Sequence, residues 1–266
     1  MDEKSPISIA QVTDTHLLAS ESQRLQGIST TESFLAVMKR LEELRPELDL
    51  LLMTGDLSGD STPESYENLQ HHLNSVQIPT YWLPGNHDCA IAMDTILNQG
   101  MVSRRKSFQR GNWNFILLNS CVPESVHGYL SATILEWLDA ELKISSDRPT
   151  LLALHHAPLL VNSAWIDTSC LQNSEEFLAI VDRHPQVKLV LFGHIHQEFQ
   201  HQRHIVNYLG SPSTCYQFQS KSPTFAINPE SPGFRLLKLY PDGTWETEIE
   251  RVPYSVPIDS VVTVSY

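Results

Sequence analysis

Basic residues are scarce in this chain: 18 Lys and Arg stand against 31 Asp and Glu in 266 residues, a formal net charge of −13. A nucleic-acid polymer is held by neutralising its phosphates with Lys and Arg, so this deficit argues against a DNA or RNA partner. It argues equally against docking on an anionic membrane surface. Cysteine is also sparse. Cys89, Cys121, Cys170 and Cys215 lie far apart and form no CxxC pair, which suits small buried hydrophobes or free thiols in a reducing compartment. No run approaches the roughly 18 apolar residues of a membrane span. The polar start, Met1 to Pro6, has neither the basic nor the apolar region of a secretory leader, so a cytoplasmic protein is expected. Low-complexity segments and internal repeats are missing as well.

What the chain does have is apolar content for a substantial core, 41% of residues, and 12 histidines. Strand and helix signals alternate through about residue 195, the pattern of a layered α/β fold. Ile7–Val12 alternates as a strand, and a capping box at Ser29 and Glu32 opens a helix that Arg45–Pro46 stops. Leu48–Met53 reads as a buried strand, and Thr62–Pro63 opens a second helix. Further strands are expected at Thr80–Leu83, near Phe108, and at Trp113–Leu118, Leu151–Leu154 and Val187–Phe192. Helices are expected after Ser131 and over Ser174–Val181. Beyond His196 short β segments take over at Ile205–Leu209, Phe234–Leu239 and Thr244–Val252. No linker interrupts the chain, so residues 1–266 are read as one domain whose second half completes another sheet.

Five motifs stand directly after strand-like runs: Asp14-Thr15-His16, Gly55-Asp56, Gly85-Asn86-His87-Asp88, His155-His156 and Gly193-His194-Ile195-His196. Taken singly, each is ordinary turn chemistry. Together, at the carboxyl ends of strands in one sheet, they can converge on one pocket. Carboxylate, amide oxygen and imidazole suit two divalent ions of the manganese, iron or zinc type, and the lack of thiolate ligands disfavours a structural zinc. A carboxylate can bridge two ions. Glycine before Asp56, Asn86 and His194 permits close backbone approach. In Asp14-x-His16 and His194-x-His196, side chains two apart point the same way if the backbone stays extended.

The ordered set D-x-H, GD, GNHD, H and GHxH resembles the signature of the calcineurin-like metallophosphoesterase superfamily, along essentially the whole chain. That resemblance implies a four-layer α/β/β/α sandwich with a dinuclear centre at its edge. It implies that Asp14, His16, Asp56 and His196 hold one metal, and that Asp56, Asn86, His155 and His194 hold the other. The metals implied are iron or manganese, with zinc as the alternative. His155 rather than His156 is the expected ligand of the pair, and His156 and Asp88 are expected to support the ligands from behind. Ser211–Phe218, Phe225-Ala226, Pro232–Arg235 and His127–Leu130 are further similar to bacterial class III cyclic-AMP phosphodiesterases.

The expected reaction is hydrolysis of 3′,5′-cyclic AMP to 5′-AMP by a metal-bridging hydroxide. His87 is the expected proton donor to the leaving oxygen, and Asn86, His87 and His196 the expected phosphate contacts. The alternative is a broader phosphodiesterase acting on 2′,3′-cyclic nucleotides or glycerophosphodiesters. Tyr216, Phe218 and Phe225 are candidate adenine-stacking surfaces, with core or interface roles as the alternative, and Arg235 is a candidate polar contact. The partner is then a small cyclic nucleotide rather than a polymer or a membrane, with a homodimer left open.

Overall fold

Local capping chemistry sets the helix starts. Ser29 Oγ accepts from the Glu32 amide at 3.3 Å, Thr62 Oγ1 from the Ser65 amide at 3.3 Å, and Ser131 Oγ from the Ile134 amide at 3.3 Å. The first helix ends where Arg45-Pro46 tightens the chain into a 3-10 turn. The computed structural model describes residues 5–254, so the polar start read at Met1 to Lys4 lies outside the described residues, as does Ser255 to Tyr266.

In chain order the elements are β1 (Ile7–Val12), α1 (Thr30–Leu44), β2 (Leu50–Thr54), α2 (Pro63–Val76), β3 (Thr80–Leu83), α3 (Ala90–Ile96) and β4 (Val102–Ser103). Then come β5 (Ser107–Arg110), β6 (Trp113–Leu117), α4 (Ala132–Ile144), β7 (Thr150–Ala153), α5 (Ser174–Asp182) and β8 (Val187–Phe192). The chain continues with β9 (Phe199–Arg203), β10 (Val206–Gly210), β11 (Gln217–Phe218), β12 (Ile227–Asn228), β13 (Gly233–Leu239) and β14 (Trp245–Arg251).

Two six-stranded sheets result, in the orders β14-β13-β1-β2-β3-β4 and β5-β6-β7-β8-β10-β9. The inner strands are parallel and buried on both faces, which is why they read as continuous apolar runs. Side chains alternate between the faces. Ile7, Ile9, Leu50 and Leu52 meet Phe115, Leu117, Leu151 and Leu189 in the layer between the sheets. Ala10, Val12, Leu51 and Met53 turn the other way, onto Phe34, Val37 and Leu69 of α1 and α2. Leu152, Val190 and Phe192 pack with Leu138 of α4 and Phe177 of α5. Three apolar cores therefore separate four layers, α/β/β/α.

The expectation that the second half completes another sheet holds for the strands through β10 but is corrected for the last two strands. β13 pairs antiparallel with β1, Gln11 opposite Arg235, and β14 extends the same edge, so both belong to the first sheet. The second sheet begins already at β5.

Candidate metal centre

The five motifs do not come from one sheet, as the sequence suggested. Asp14, Asp56 and Asn86 follow β1, β2 and β3 of the first sheet, whereas His155 and His194–His196 follow β7 and β8 of the second. Face-to-face packing brings the carboxyl ends of both sets to one edge. A separate cavity of about 410 Å³, lined by Ser8, Glu47, Leu48 and Glu246 among others, touches the start of β1 and the turn before β2 and none of these motifs.

The extended backbone expected through Asp14-x-His16 and His194-x-His196 is also corrected. Asp14, His16, Asp56, His194 and His196 all have left-handed φ, between 44° and 67°. Five non-glycine residues in that sparsely populated region are strained, and they persist where surrounding bonds over-determine them. Such bonds are present: the Asp14 amide donates to the Gly55 carbonyl, the His16 amide to the Asp56 carbonyl, and the His194 amide to the Asp14 carboxylate. At Gly193, a Cβ would stand 2.8 Å from Asp14 Oδ2, and at Gly85 it would collide with Asp56 Oδ1. Those two glycines let backbone close on the carboxylates.

Three of the cluster's histidine rings, His155, His194 and His196, are aimed by the hydrogen bond on their far nitrogen. His155 Nδ1 donates to the Thr54 carbonyl (2.9 Å) and His196 Nδ1 to the Tyr216 carbonyl (2.8 Å), so Nε2 is the nitrogen each ring turns to the cluster. The Ser169 hydroxyl donates to the Ile166 carbonyl and therefore accepts from His194 Nε2 at 3.0 Å, leaving the lone pair of His194 on Nδ1. His196 Nε2 lies 3.3 Å from Asp14 Oδ1 and 3.2 Å from His16 Nε2. His155 Nε2 lies 3.3 Å from Asp56 Oδ2. The Asn86 Oδ1 and His155 Nε2 atoms are buried with no hydrogen-bond partner. Buried polar atoms are normally paired, so this convergence of oxygen and nitrogen donors, with Asn86 Oδ1 left over, fits divalent cations.

Charge states fit as well. Burial alone would push the Asp56 carboxyl up, but His155 and His87 beside it hold it well below the carboxylate range; Asp14 is likewise held low against burial, chiefly by His196. Burial pushes His16 and His194 down to about 3, so they are neutral donors near pH 7. His155 resists burial, because Asp56 and then Asp14 raise it to about 9, and a cation arriving there displaces its proton.

A family model described as calcineurin-like phosphoesterase matches residues 7–198. The chain belongs to that family. It is 82% identical over 266 residues, all of both chains, to a protein of a Nostoc species named 3′,5′-cyclic-nucleotide phosphodiesterase. It is 39% identical, over 92% of this chain and 90% of the other, to the protein of Escherichia coli K12 named 3′,5′-cyclic adenosine monophosphate phosphodiesterase CpdA. Its fold is that of a solved dimetal phosphatase from Danio rerio, with a TM-score of 0.70 at 15% identity over 94% of this chain and 98% of that one.

Around the centre of this phosphoesterase, Asp88 points away from the cluster. Its carboxylate accepts from the amides of Gly85, Leu57 and Ser58 and from the Tyr66 hydroxyl, tying the Asn86 loop to the Asp56 loop. His156 is buried with Nδ1 2.8 Å from Ser120 Oγ, and no carboxylate lies within ion-pairing distance of it among the described residues. His87 is half-buried whereas His16, His155, His194 and His196 are buried, and its amide donates to Asp56 Oδ1 at 2.9 Å.

The four candidate substrate contacts take other places. Arg235 is 1% exposed, and its guanidinium donates to Ser211 Oγ, Thr247 Oγ1 and the Gly210 and Phe199 carbonyls, joining the two sheets. Tyr216 and Phe218 are buried, and both back His196 rather than an open pocket. Phe225 is only partly buried and packs on Trp165 and Phe218. The roles of Thr54, Tyr216 and Ser169 in orienting imidazoles escaped the sequence reading, because two act through backbone carbonyls that any residue carries. His71, His72, His201 and His204 lie on α2 and the β9–β10 hairpin, outside the cluster.

Proposed function

We propose that this phosphoesterase hydrolyses 3′,5′-cyclic AMP to 5′-AMP at a two-cation centre between its sheets. The observation that carries the reading is the convergence of two buried, ionised carboxylates, the unpartnered Asn86 Oδ1 and four buried imidazoles on one spot. The names borne by its relatives support the substrate. Asp14, His16 and His196, whose donor atoms lie within 4.8 Å of one another, are assigned to one cation with Asp56. Asn86, His155 and His194 are assigned to the other, with Asp56 shared. The mixed oxygen and nitrogen donors favour manganese or iron.

Two divalent cations, when bound, supply Lewis acidity toward phosphate oxygen and water. The residues do the rest. Asn86, His87 and His196 face the phosphodiester. As a water oxygen joins phosphorus and the P–O3′ bond breaks, His87 delivers a proton to O3′, and the phosphate stays on O5′ as a monoester. Asp88 holds the His87 loop by its four donors, and its burial beside Asp56 raises it to about 6. All four cysteines are free thiols, which supports a cytoplasmic setting. No helix among the described residues is long and apolar enough to cross a membrane.

The test is kcat/KM of the manganese-loaded enzyme on 3′,5′-cyclic AMP, 2′,3′-cyclic AMP and a glycerophosphodiester. A preference for the first is expected. Turnover of the others with 3′,5′-cyclic AMP untouched would reject the substrate and leave the phosphodiesterase.

A further inference from the structure

His156 carries a buried donor atom that the proposed reaction does not use. Its Nε2 has no hydrogen-bond partner, and the side chain is 0% exposed. The ring is held from the far side. Nδ1 meets Ser120 Oγ at 2.8 Å, and Gly128 packs so closely that a Cβ there would stand 2.6 Å from His156 Nδ1. In the tautomer whose proton sits on Nδ1, toward Ser120 Oγ, the ring carries its lone pair on Nε2.

That lone pair has two neighbours of the same kind. Ligand atoms of His155, His156 and His194 all lie within 4.8 Å of one another. Their ring centroids form a nearly equilateral triangle, 5.0, 5.2 and 4.9 Å on its edges. Three imidazoles on a tetrahedral zinc, with Zn–N near 2.0–2.1 Å, place their centroids about 5 Å apart.

We propose that His155, His156 and His194 form an alternative all-nitrogen site that captures zinc, drawing two imidazoles out of the mixed oxygen–nitrogen site and leaving the enzyme inactive. The proposal rests on the assignment of His155 and His194 to the second cation. Zinc binds nitrogen donors more tightly than manganese does in the divalent series, whereas manganese keeps its preference for the carboxylate and amide oxygens of Asp56 and Asn86. The two registers share His155 and His194, so occupation of one excludes the other. Excess zinc therefore inhibits the manganese enzyme, and His156 sets the sensitivity.

The experiment follows zinc binding and inhibition in wild type, His156→Ala, His156→Gln, Asn86→Ala and Asn86→Ala/His156→Ala. Zinc affinity is read against a chromophoric chelator, and cobalt as a zinc substitute is read by its visible absorption. Expected is an inhibitory zinc concentration at least about tenfold higher in both His156 variants, each compared with its own manganese-loaded rate. Asn86→Ala should keep tight zinc and the tetrahedral cobalt bands, and the double variant should lose both, with affinity down about 10–100-fold. Unchanged zinc inhibition in the single variants together with tight zinc in the double variant would overturn the proposal. His156→Gln decides the matter should His156→Ala fail to fold, as judged by circular dichroism. Failure of the underlying assignment has a separate signature, wild-type manganese content in Asn86→Ala.

Discussion

The Phe218 ring lies parallel to the His196 imidazole, 4.1 Å between centroids and 12° between planes. The Phe218 amide also donates to the His196 carbonyl at 3.0 Å, and the Tyr216 carbonyl two residues earlier accepts from His196 Nδ1. One short segment thus fixes the position, tilt and tautomer of a proposed ligand. Phe218→Leu keeps an apolar side chain but removes the stacked face. We expect manganese affinity to fall about tenfold, the scale for losing support behind a ligand, with the far-ultraviolet spectrum unchanged. Competition with a metal indicator measures it, and wild-type affinity would show the stack to be passive packing.

Removing the metals should abolish turnover and lower the melting temperature. Without cations, the Asp14 and Asp56 carboxylates, 0% and 2% exposed, are left with only histidine partners. Binding to the folded state alone stabilises it, by about 2.7 kcal/mol per site at one hundred times the dissociation constant. Calorimetry of chelated and manganese-reloaded protein measures the shift. Full activity in protein shown metal-free by elemental analysis would sink the mechanism.

Arg235 should matter to stability rather than to substrate affinity. Its guanidinium satisfies the Gly210 carbonyl, Ser211 Oγ and Thr247 Oγ1, groups that Arg235→Met would leave buried. Hydrogen bonds from a charged group carry roughly 1.5–3 kcal/mol, so a loss of about that size or somewhat more is expected in urea unfolding. KM for 3′,5′-cyclic AMP should stay close to wild type. A large rise in KM with unchanged stability would return Arg235 to the substrate pocket.

The metal-centre motifs were legible because each polar cluster interrupts an apolar strand run at its carboxyl end. Leu50–Thr54 before Gly55-Asp56 and Val187–Phe192 before Gly193-His194 show the pattern most plainly. The sheet partner of Phe234–Leu239 was not legible, because an antiparallel pairing of Ile7 with Leu239 leaves no local mark at either position. The left-handed backbone at Asp14 and His196 was hidden for a related reason: tertiary hydrogen bonds hold it, against the preference of the residues themselves. Tyr216 and Phe218 could be read as aromatic, but which side of a ligand they covered depended on the turn that follows β10.

The adjacent histidines should separate cleanly in metal analysis. His155 Nε2 lies 3.3 Å from the Asp56 carboxylate proposed as the bridge, whereas His156 approaches the cluster only through the other imidazoles. His155→Ala should lose manganese from the second position, and His156→Ala should retain it. The reverse result in elemental analysis would exchange their roles.

His87 should be judged by its dependence on the leaving group. It is the one motif histidine with appreciable exposure, and its loop is pinned by the amide bond to Asp56 Oδ1 at 2.9 Å. A proton donor lowers the barrier most when the departing oxygen is a poor leaving group, as ribose O3′ is. His87→Ala should slow hydrolysis of 3′,5′-cyclic AMP by about 10²–10⁴-fold, the usual scale for general acid catalysis. An activated aryl phosphodiester departs as a stable phenolate and needs little protonation, so its loss should be far smaller. The ratio of the two losses is informative because defects in metal binding or folding lower both rates alike. Manganese content of the variant, measured beside the rates, closes the remaining route, since the His87 ring stands 5.0 Å from the His16 ring. Equal losses on both substrates with full metal content would assign His87 to binding the phosphate, and the proton to O3′ would then come from solvent.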